Sequence, residues 1–371
     1  MTKLGLRNLW FQFHKWIGLA LAILILPLCI SGAALVWHDA LDKALNPGRY
    51  AVTAAEPKLT PPAYVDSALA ALTDGERIAS MRFEHGEPVL ITATQPRKPS
   101  AREGGRPVRI MVWLDPANAH VLDKARSDAG LVRTLHNIHG NMMVPGVGRT
   151  IVGALGFAML VSSISGLWLW WPTVGSALRG VRWRRHRNFD TNLHHMMGFW
   201  IALPLFVLSL TGAWISFPAL FGNGPVDVAG RMAKMRAMPL AKSVQSIDEA
   251  IARARSLEAG QLKSMEWPTD QRATWTLGFK TKDGPVTIAV DDAKGTSERS
   301  KSTGPQPDAT GRLMRRIHDG TGMGIAWQIV IFLGGLLPAG LALTGVIMWW
   351  RARLWRNDLA SRQNQKVVAT P

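Results

Sequence analysis

The chain has 371 residues, of which 47% are apolar, and it carries a formal net charge of +17 at pH 7. This combination is unusual for a soluble enzyme, so the apolar and the basic residues are expected to occupy separate regions. The single cysteine excludes a disulfide framework, a cysteine-ligated iron–sulfur cluster and the C-x-x-C-H attachment of c-type haem.

Four apolar stretches are long enough to cross about 30 Å of hydrocarbon as helices of about 20 residues. They run from Trp16 to Trp37, from Ile151 to Trp171, from Met196 to Phe217 and from Ile325 to Trp350. Tryptophans cluster at their ends, as in the aromatic belts of membrane proteins. The first stretch is longer than the apolar core of a cleaved signal peptide, so we interpret it as a retained anchor. The sequence predicts a mainly α membrane protein with four spans.

Basic residues flank these spans and predict their orientation. They concentrate in the N-terminus, in residues 173–193 and in the tail at 351–371. Because Lys and Arg are enriched in cytoplasmic loops, we expect these segments in the cytoplasm and residues 39–148 and 218–324 on the outer face. Membrane lipids with anionic headgroups account for this charge, so it does not indicate nucleic acid as a partner.

The chain contains an internal repeat, seen at shifts of 180 and 179 residues. The aligned positions include His14 with His194, Ser31-Gly32 with Thr211-Gly212, His139 with His318, and Ser165-Gly166 with Thr344-Gly345. Each copy has the form span, outer module, span. The repeat therefore predicts a four-helix bundle of two tandem copies related by a pseudo-two-fold axis along the membrane normal.

Each outer module is expected to be a helix followed by a small antiparallel sheet. The patterns predict helices over 62–72 and 247–256, and strands near 77–83, 88–94, 108–114, 262–267, 274–280 and 286–290. Turns are expected at 115–118 and 291–295. The polar segments 95–107 and 297–310 are expected to be loops.

Two histidine pairs are candidate haem ligands. His14 and His194 lie near the cytoplasmic ends of their spans, and His139 and His318 lie near the outer face. For one such histidine an ordinary hydrogen bond is the commoner role, but a pseudo-two-fold axis would bring each pair face to face. Two imidazoles on opposite sides of a porphyrin complete six-coordinate iron. The pairs therefore predict two haems, one near each face.

Other histidines compete for these roles. His195 points about 100° away from its neighbour His194 on a helix, so we prefer His194 by the repeat. Either His38 or His136 could replace a member of the outer pair. No H-E-x-x-H or comparable acidic spacing indicates a zinc site, and no Gly-rich phosphate loop indicates a bound nucleotide.

Four arginines that the repeat aligns could neutralise haem propionates, although lipid headgroups explain them equally well. They are Arg7 with Arg187 and Arg133 with Arg312.

Three short motifs resemble those of the PepSY-associated transmembrane family. They are F-H-K-W-I-G at 13–18, H-x-x-H-G at 136–140 and I-H-D-G at 317–320, and the likeness extends over nearly the whole chain. The resemblance implies a bacterial inner-membrane protein with periplasmic PepSY-like modules. Family members include ferric-siderophore reductases with two non-covalent b-type haems. The family's membrane histidines fall on His14, His139, His194 and His318, with His38 and His136 as alternatives.

These observations lead to the hypothesis of a haem-dependent oxidoreductase that accepts electrons from a quinol or a cytoplasmic reductase and reduces a periplasmic ferric siderophore. Fe(II) prefers softer ligands than a siderophore's oxygen atoms, so reduction would release the iron. A non-enzymatic alternative is that the modules bind a protein partner or protease, while the histidines serve structure or the transport of haem or metal. A quinone-coupled oxidoreductase is a third possibility.

Overall fold

The computed structural model describes residues 2–95, 108–171, 181–182, 186–221, 230, 237–300 and 309–368. The chain divides into two compact units. A helical unit comprises Met1–His38, Thr134–Gly224 and Pro307–Pro371, and a sheet unit comprises Asp39–Arg133 and Pro225–Gln306. Residues 96–107 and 301–308 of the predicted loops, and residues 173–180 and 183–185 of the predicted basic loop, lie outside the described residues.

The helices are α1 (Lys3–Leu35), α2 (His38–Leu45), α3 (Pro61–Ala71), α4 (Leu131–Asn141), α5 (Gly148–Trp170), α6 (Phe189–Ser216), α7 (Ile247–Arg255), α8 (Ala309–Asp319) and α9 (Gly324–Val368). Short 3-10 turns lie at Pro47–Tyr50 and Pro218–Phe221.

Four helices of the helical unit are long and apolar enough to cross a membrane. They are α1, α5, α6 and α9, whose most apolar windows have a mean hydropathy between 1.8 and 2.4. Both α1 and α6 pack against α5 and α9, which produces a four-helix bundle. Leu28, Leu155, Ile201, Leu205 and Ala339 are buried in its core.

The helices α1 and α9 extend farthest beyond the apolar stretches that define the predicted spans. The helix α1 begins at Lys3, where the Thr2 hydroxyl accepts a hydrogen bond from the Gly5 amide at 3.2 Å, so His14 lies well inside the helix. The helix α9 continues to Val368 through the predicted tail, because residues 351–368 contain no Gly or Pro that would end it. The length of the apolar stretch therefore underestimates the length of both helices.

The strands of the sheet unit are β1 (Arg77–Arg82), β2 (Val89–Thr94), β3 (Arg109–Leu114), β4 (Val121–Arg126), β5 (Gln261–Glu266), β6 (Thr274–Thr281), β7 (Gly284–Asp291) and β8 (Ser297–Arg299). They form one antiparallel sheet in the order β4-β3-β2-β1-β5-β6-β7-β8. The two separate small sheets that the sequence predicts are thus joined, with Met81 of β1 opposite Met265 of β5.

Two strands are missing from the sequence prediction. The strand β4 is an edge strand whose residues are only partly buried, so it lacks the alternation of apolar and polar residues that identifies a strand. The three-residue β8 lies within the loop predicted at 297–310, so that prediction is wrong for its first residues. A strand this short gives no periodic signal.

Two buried aspartates anchor the predicted turns of the sheet unit. Asp292 accepts hydrogen bonds from the indole N–H of Trp275 at 2.9 Å and from the backbone of Val244 at 2.9 Å. Asp115 accepts hydrogen bonds from the backbone and the hydroxyl of Thr53. Each carboxylate therefore fastens the chain segment before a helix to the turn after a central strand.

Candidate functional site

Two pairs of histidines lie with their rings close together in the helical unit. In the first histidine pair, His14 of α1 and His194 of α6 have ring centroids 6.5 Å apart. In the second histidine pair, His139 of α4 and His318 of α8 have ring centroids 6.0 Å apart. The structure thus brings together the histidines that the repeat aligns, and their role as ligands stays a prediction.

Each ring of the first pair lies against a Ser/Thr-Gly dipeptide of a neighbouring helix. The Nδ1 atom of His14 is 3.0 Å from the Ser165 hydroxyl on α5, and Nδ1 of His194 is 2.8 Å from the Thr344 hydroxyl on α9. A Cβ added at Gly166 would lie 3.1 Å from Cε1 of His14. The glycine therefore leaves space for the ring.

The second pair repeats this arrangement on the other two long helices. The Nδ1 atom of His318 is 3.0 Å from the Thr211 hydroxyl of α6, and a Cβ at Gly212 would lie 3.1 Å from its Cε1 atom. For His139, Nδ1 is 2.9 Å from the carbonyl oxygen of Leu28 on α1, and a Cβ at Gly32 would lie 2.6 Å from Cε1. All four Ser/Thr-Gly dipeptides of the repeat therefore contact a paired histidine.

The two pairs lie near opposite ends of the bundle. On α1, His14 belongs to the first pair, whereas Gly32 contacts His139 of the second pair. These positions are 18 residues apart, which is about 27 Å of helix at 1.5 Å per residue. This length is close to the roughly 30 Å thickness of the hydrocarbon layer.

The second pair lies on short helices outside the candidate spans, and its environment favours neutral imidazole. Burial lowers the pKa of His139 and of His318, and electrostatic repulsion between the two rings lowers the pKa of His318 further. A neutral imidazole has the lone pair that a metal requires.

His38 and His136 form a third histidine pair, with ring centroids 6.1 Å apart. Both residues are exposed, and Nδ1 of His38 lies 3.0 Å from the carbonyl oxygen of Leu35. The four Ser/Thr-Gly dipeptides lie next to His14, His194, His139 and His318 instead. The geometry therefore favours His139 and His318 over His38 and His136 as ligands of a metal near this end of the bundle.

His195 does not share the position of its neighbour His194. Its ring stacks on His186, with centroids 4.6 Å apart and planes inclined by 25°. The structure places His194, and not His195, opposite His14, and which of the two binds a metal stays a prediction.

The four arginines occupy different environments. Arg7 donates hydrogen bonds to the carbonyl oxygens of Leu169 and Trp171, at 2.5 and 3.2 Å, and so caps the end of α5. Arg187 and Arg312 are exposed. Nε of Arg133 is buried and has no hydrogen-bond partner among the described residues. Binding of haem propionates by these arginines stays a prediction.

The residues present fit a haem at each of the first two pairs. Imidazoles that bind one metal from opposite sides through bonds of about 2.0–2.1 Å have ring centroids roughly 6 to 6.5 Å apart. The observed spacings match. Within the described ranges, no group of three or more His, Cys, Asp or Glu residues could hold a metal ion. A metal at these pairs would need further ligands from outside the chain, which a porphyrin supplies.

Four helices of membrane-spanning length, with a histidine pair near each end of their bundle, define a helical membrane protein that also carries an antiparallel sheet unit. The family described as the PepSY-associated TM region matches residues 11–352, and the chain belongs to this family. The family resemblance is therefore confirmed. No curated protein matches the chain.

Sequence reasoning missed the residues that contact the imidazoles. The hydroxyls of Ser165, Thr211 and Thr344 and the carbonyl group of Leu28 had no assigned role. The available signal was the repeat itself, because it preserves a Ser or Thr followed by Gly in all four spans.

Proposed function

We propose that this chain is a membrane electron-transfer protein that holds two non-covalent b-type haems and reduces a ferric siderophore. The observation that carries the proposal is the presence of one spaced imidazole pair near each end of a membrane-length bundle. A bound haem would supply reversible one-electron chemistry at its iron.

The residues of the bundle have separate roles in this proposal. His14 and His194 would hold one haem, and His139 and His318 would hold the other. The hydroxyls of Ser165, Thr211 and Thr344 would orient three of the rings. The apolar core between the pairs would exclude water from the centre of the bundle. The fold thus combines two metal-binding positions with a barrier to ions.

The orientation follows from the basic segments. If the N-terminus, residues 173–193 and the tail are cytoplasmic, the first pair lies on the cytoplasmic side and the sheet unit is periplasmic. In a bacterial inner membrane, electrons would then come from a quinol or a cytoplasmic reductase. The electron acceptor would lie outside the cell membrane.

The choice of a ferric siderophore as acceptor rests on the family and on iron chemistry. The chain belongs to the PepSY-associated family. Its resemblance to the ferric-siderophore reductases of that family suggests the same electron acceptor here. Fe(III) is held by hard oxygen donors, and its reduction weakens that binding. The product would be Fe(II) that a softer ligand can capture.

The reaction can be tested with the full-length protein in detergent. The anaerobically reduced protein is mixed with a ferric hydroxamate chelate, while haem absorption and a coloured Fe(II) chelator are followed together. We expect haem oxidation and Fe(II) formation at equal rates. The matching gallium(III) chelate has the same charge but is not reduced, so it should leave the haem reduced.

Two other outcomes distinguish the remaining functions. Oxidation by a quinone but not by the ferric chelate would favour the quinone-coupled oxidoreductase. A chain that carries no haem when purified from haem-replete cells would favour the partner-binding protein.

A further inference from the structure

We infer that the hydroxyls of Ser165, Thr211 and Thr344 are positioning groups that hold three of the paired histidines with the proton on Nδ1, so that Nε2 is the atom presented to a metal. The identity of that metal group as haem rests on the proposed function. The direction of the hydrogen bonds does not depend on the proposed function.

Each of these hydroxyls already donates its proton to its own helix. Oγ of Ser165 lies 3.2 Å from the carbonyl oxygen of Ser162. Oγ1 of Thr344 lies 2.8 Å from that of Gly340, and Oγ1 of Thr211 lies 2.8 Å from that of Val207. A hydroxyl has one proton and two lone pairs. With the proton committed to a carbonyl, the hydroxyl can only accept a hydrogen bond from the imidazole.

The fourth histidine shows the arrangement without the hydroxyl. Nδ1 of His139 lies 2.9 Å from the carbonyl oxygen of Leu28, which is three residues before Ser31. The Ser31 hydroxyl instead donates to the carbonyl groups of Pro27 and Leu28, at 2.6 and 3.0 Å. Ser31 is therefore not a positioning residue, although it aligns with Thr211.

A neutral imidazole with its proton on Nδ1 carries its lone pair on Nε2. Metal-binding histidines commonly donate their other N–H to a fixed acceptor, which orients the ring and strengthens its bond to the metal. Here the acceptor belongs to a neighbouring helix. Ring orientation is therefore coupled to the packing of α1 on α5 and of α6 on α9.

The test compares Ser165→Ala and Thr344→Val with Ser163→Ala in the haem-loaded full-length protein. Ser163 is a matched control, because it is also buried on α5 and donates to the carbonyl group of Leu160 at 2.7 Å. Loss of haem to an excess of apomyoglobin and the midpoint potentials are measured. We expect about tenfold faster haem loss in the two test variants and a more positive potential at the first pair, because their imidazoles become weaker donors.

Conservative variants separate positioning from packing. Ser165→Thr and Thr344→Ser keep the hydroxyl and should restore haem retention and potential. Thr211→Val should accelerate haem loss at the second pair more than Ser31→Ala does. Equal behaviour of Ser165→Ala, Thr344→Val and Ser163→Ala would overturn the inference.

A measurement without haem tests the tautomers directly. In the full-length chain labelled with ¹⁵N-histidine, the rings of both pairs should show protonated Nδ1 and unprotonated Nε2. The opposite tautomer would overturn the inference even if the variants fail to fold. A wild-type chain that binds no haem, yet shows these tautomers, would contradict only the proposed function.

Discussion

A glycine beside each paired histidine lets the imidazole approach the backbone of a neighbouring helix. The space differs from one glycine to another. A Cβ at Gly32 would lie 2.6 Å from Cε1 of His139, whereas a Cβ at Gly345 would lie 3.6 Å from Cε1 of His194. The first distance is a collision and the second is an ordinary van der Waals contact.

This difference makes Gly32→Ala and Gly345→Ala a matched pair. We expect Gly32→Ala to displace the ring of His139 and to lose the haem of the second pair, because a ring that moves by an ångström cannot keep its bond to iron. Gly345→Ala should keep both haems. The measurement is haem per chain by pyridine haemochromogen, and equal haem contents would contradict the described contact.

The neighbouring residues His194 and His195 allow a second comparison at the residue scale. The ring of His194 lies 6.5 Å from that of His14, whereas the ring of His195 stacks on His186. His194→Ala should remove one haem, and His195→Ala should leave the visible spectrum unchanged. If His195→Ala lost a haem and His194→Ala did not, His195 would be the ligand instead of His194.

Small residues allow the long helices to touch through their backbones. A Cβ at Gly335 on α9 would lie 2.8 Å from the carbonyl oxygen of Cys29 on α1. The aligned Gly156 of α5 occupies a similar position, since its Cβ would lie 3.4 Å from the Ala213 amide of α6. Such close approaches are typical of helix packing in membranes.

Gly335→Ala is therefore expected to destabilise the bundle. A backbone carbonyl cannot rotate away as a side chain can, so the helices must separate, at a cost of about 1–3 kcal/mol. The thermal midpoint in detergent should fall. The control is Gly18→Ala, where the added Cβ would meet nothing within 4 Å. A fall of the same size in the control would contradict this account.

The sheet unit should respond to acid through Asp115. Burial acts to raise the pKa of Asp115, but hydrogen bonds from Thr53 and from the Ala117 amide outweigh it, so the pKa lies below its usual value. A carboxylate with a lowered pKa in the folded state stabilises fully above its unfolded pKa of about 3.9. That stabilisation is lost as the pH falls through the folded value.

Asp115→Asn should thus weaken the sheet unit at neutral pH and reduce its further loss of stability on acidification. Hydrogen exchange of β3 peptides, followed by mass spectrometry, reports on this region alone. Unchanged exchange at neutral pH would show that the carboxylate does not stabilise the turn.

At the scale of the whole molecule, the repeat in the sequence carried most of the information about the site. It aligned His14 with His194 and His139 with His318, and the structure places the ring centroids of these pairs 6.5 and 6.0 Å apart. It did not reveal why the Ser/Thr-Gly dipeptides recur, because a hydroxyl in an apolar helix most often bonds only to its own backbone.

The sequence pattern also could not predict that the two small sheets are joined into one. The pairing of β1 with β5 connects Met81 with Met265, and a central strand has the same composition whether its neighbour comes from its own module or from the other. Strand periodicity fixes which face is buried but not which strand lies alongside. The ends of α1 and α9 were missed because polar residues can continue a helix beyond its apolar part.

The orientation of the molecule can be measured with introduced cysteines. Cys29 is buried, so background labelling should be low. Lys282→Cys, in the exposed turn between β6 and β7, should react with a membrane-impermeant thiol reagent in spheroplasts. Ser361→Cys, near the end of α9, should react only after lysis. The reverse pattern would place the basic segments outside and contradict the proposed direction of electron transfer.

The visible spectrum and the haem count of the purified full-length protein decide whether the two histidine pairs hold two haems. We expect two low-spin b-type haems per chain, with His14→Ala and His139→Ala each removing one and the exposed His120→Ala removing none. A colourless wild-type protein from haem-replete cells, or haem that persists in both pair variants, would contradict this expectation.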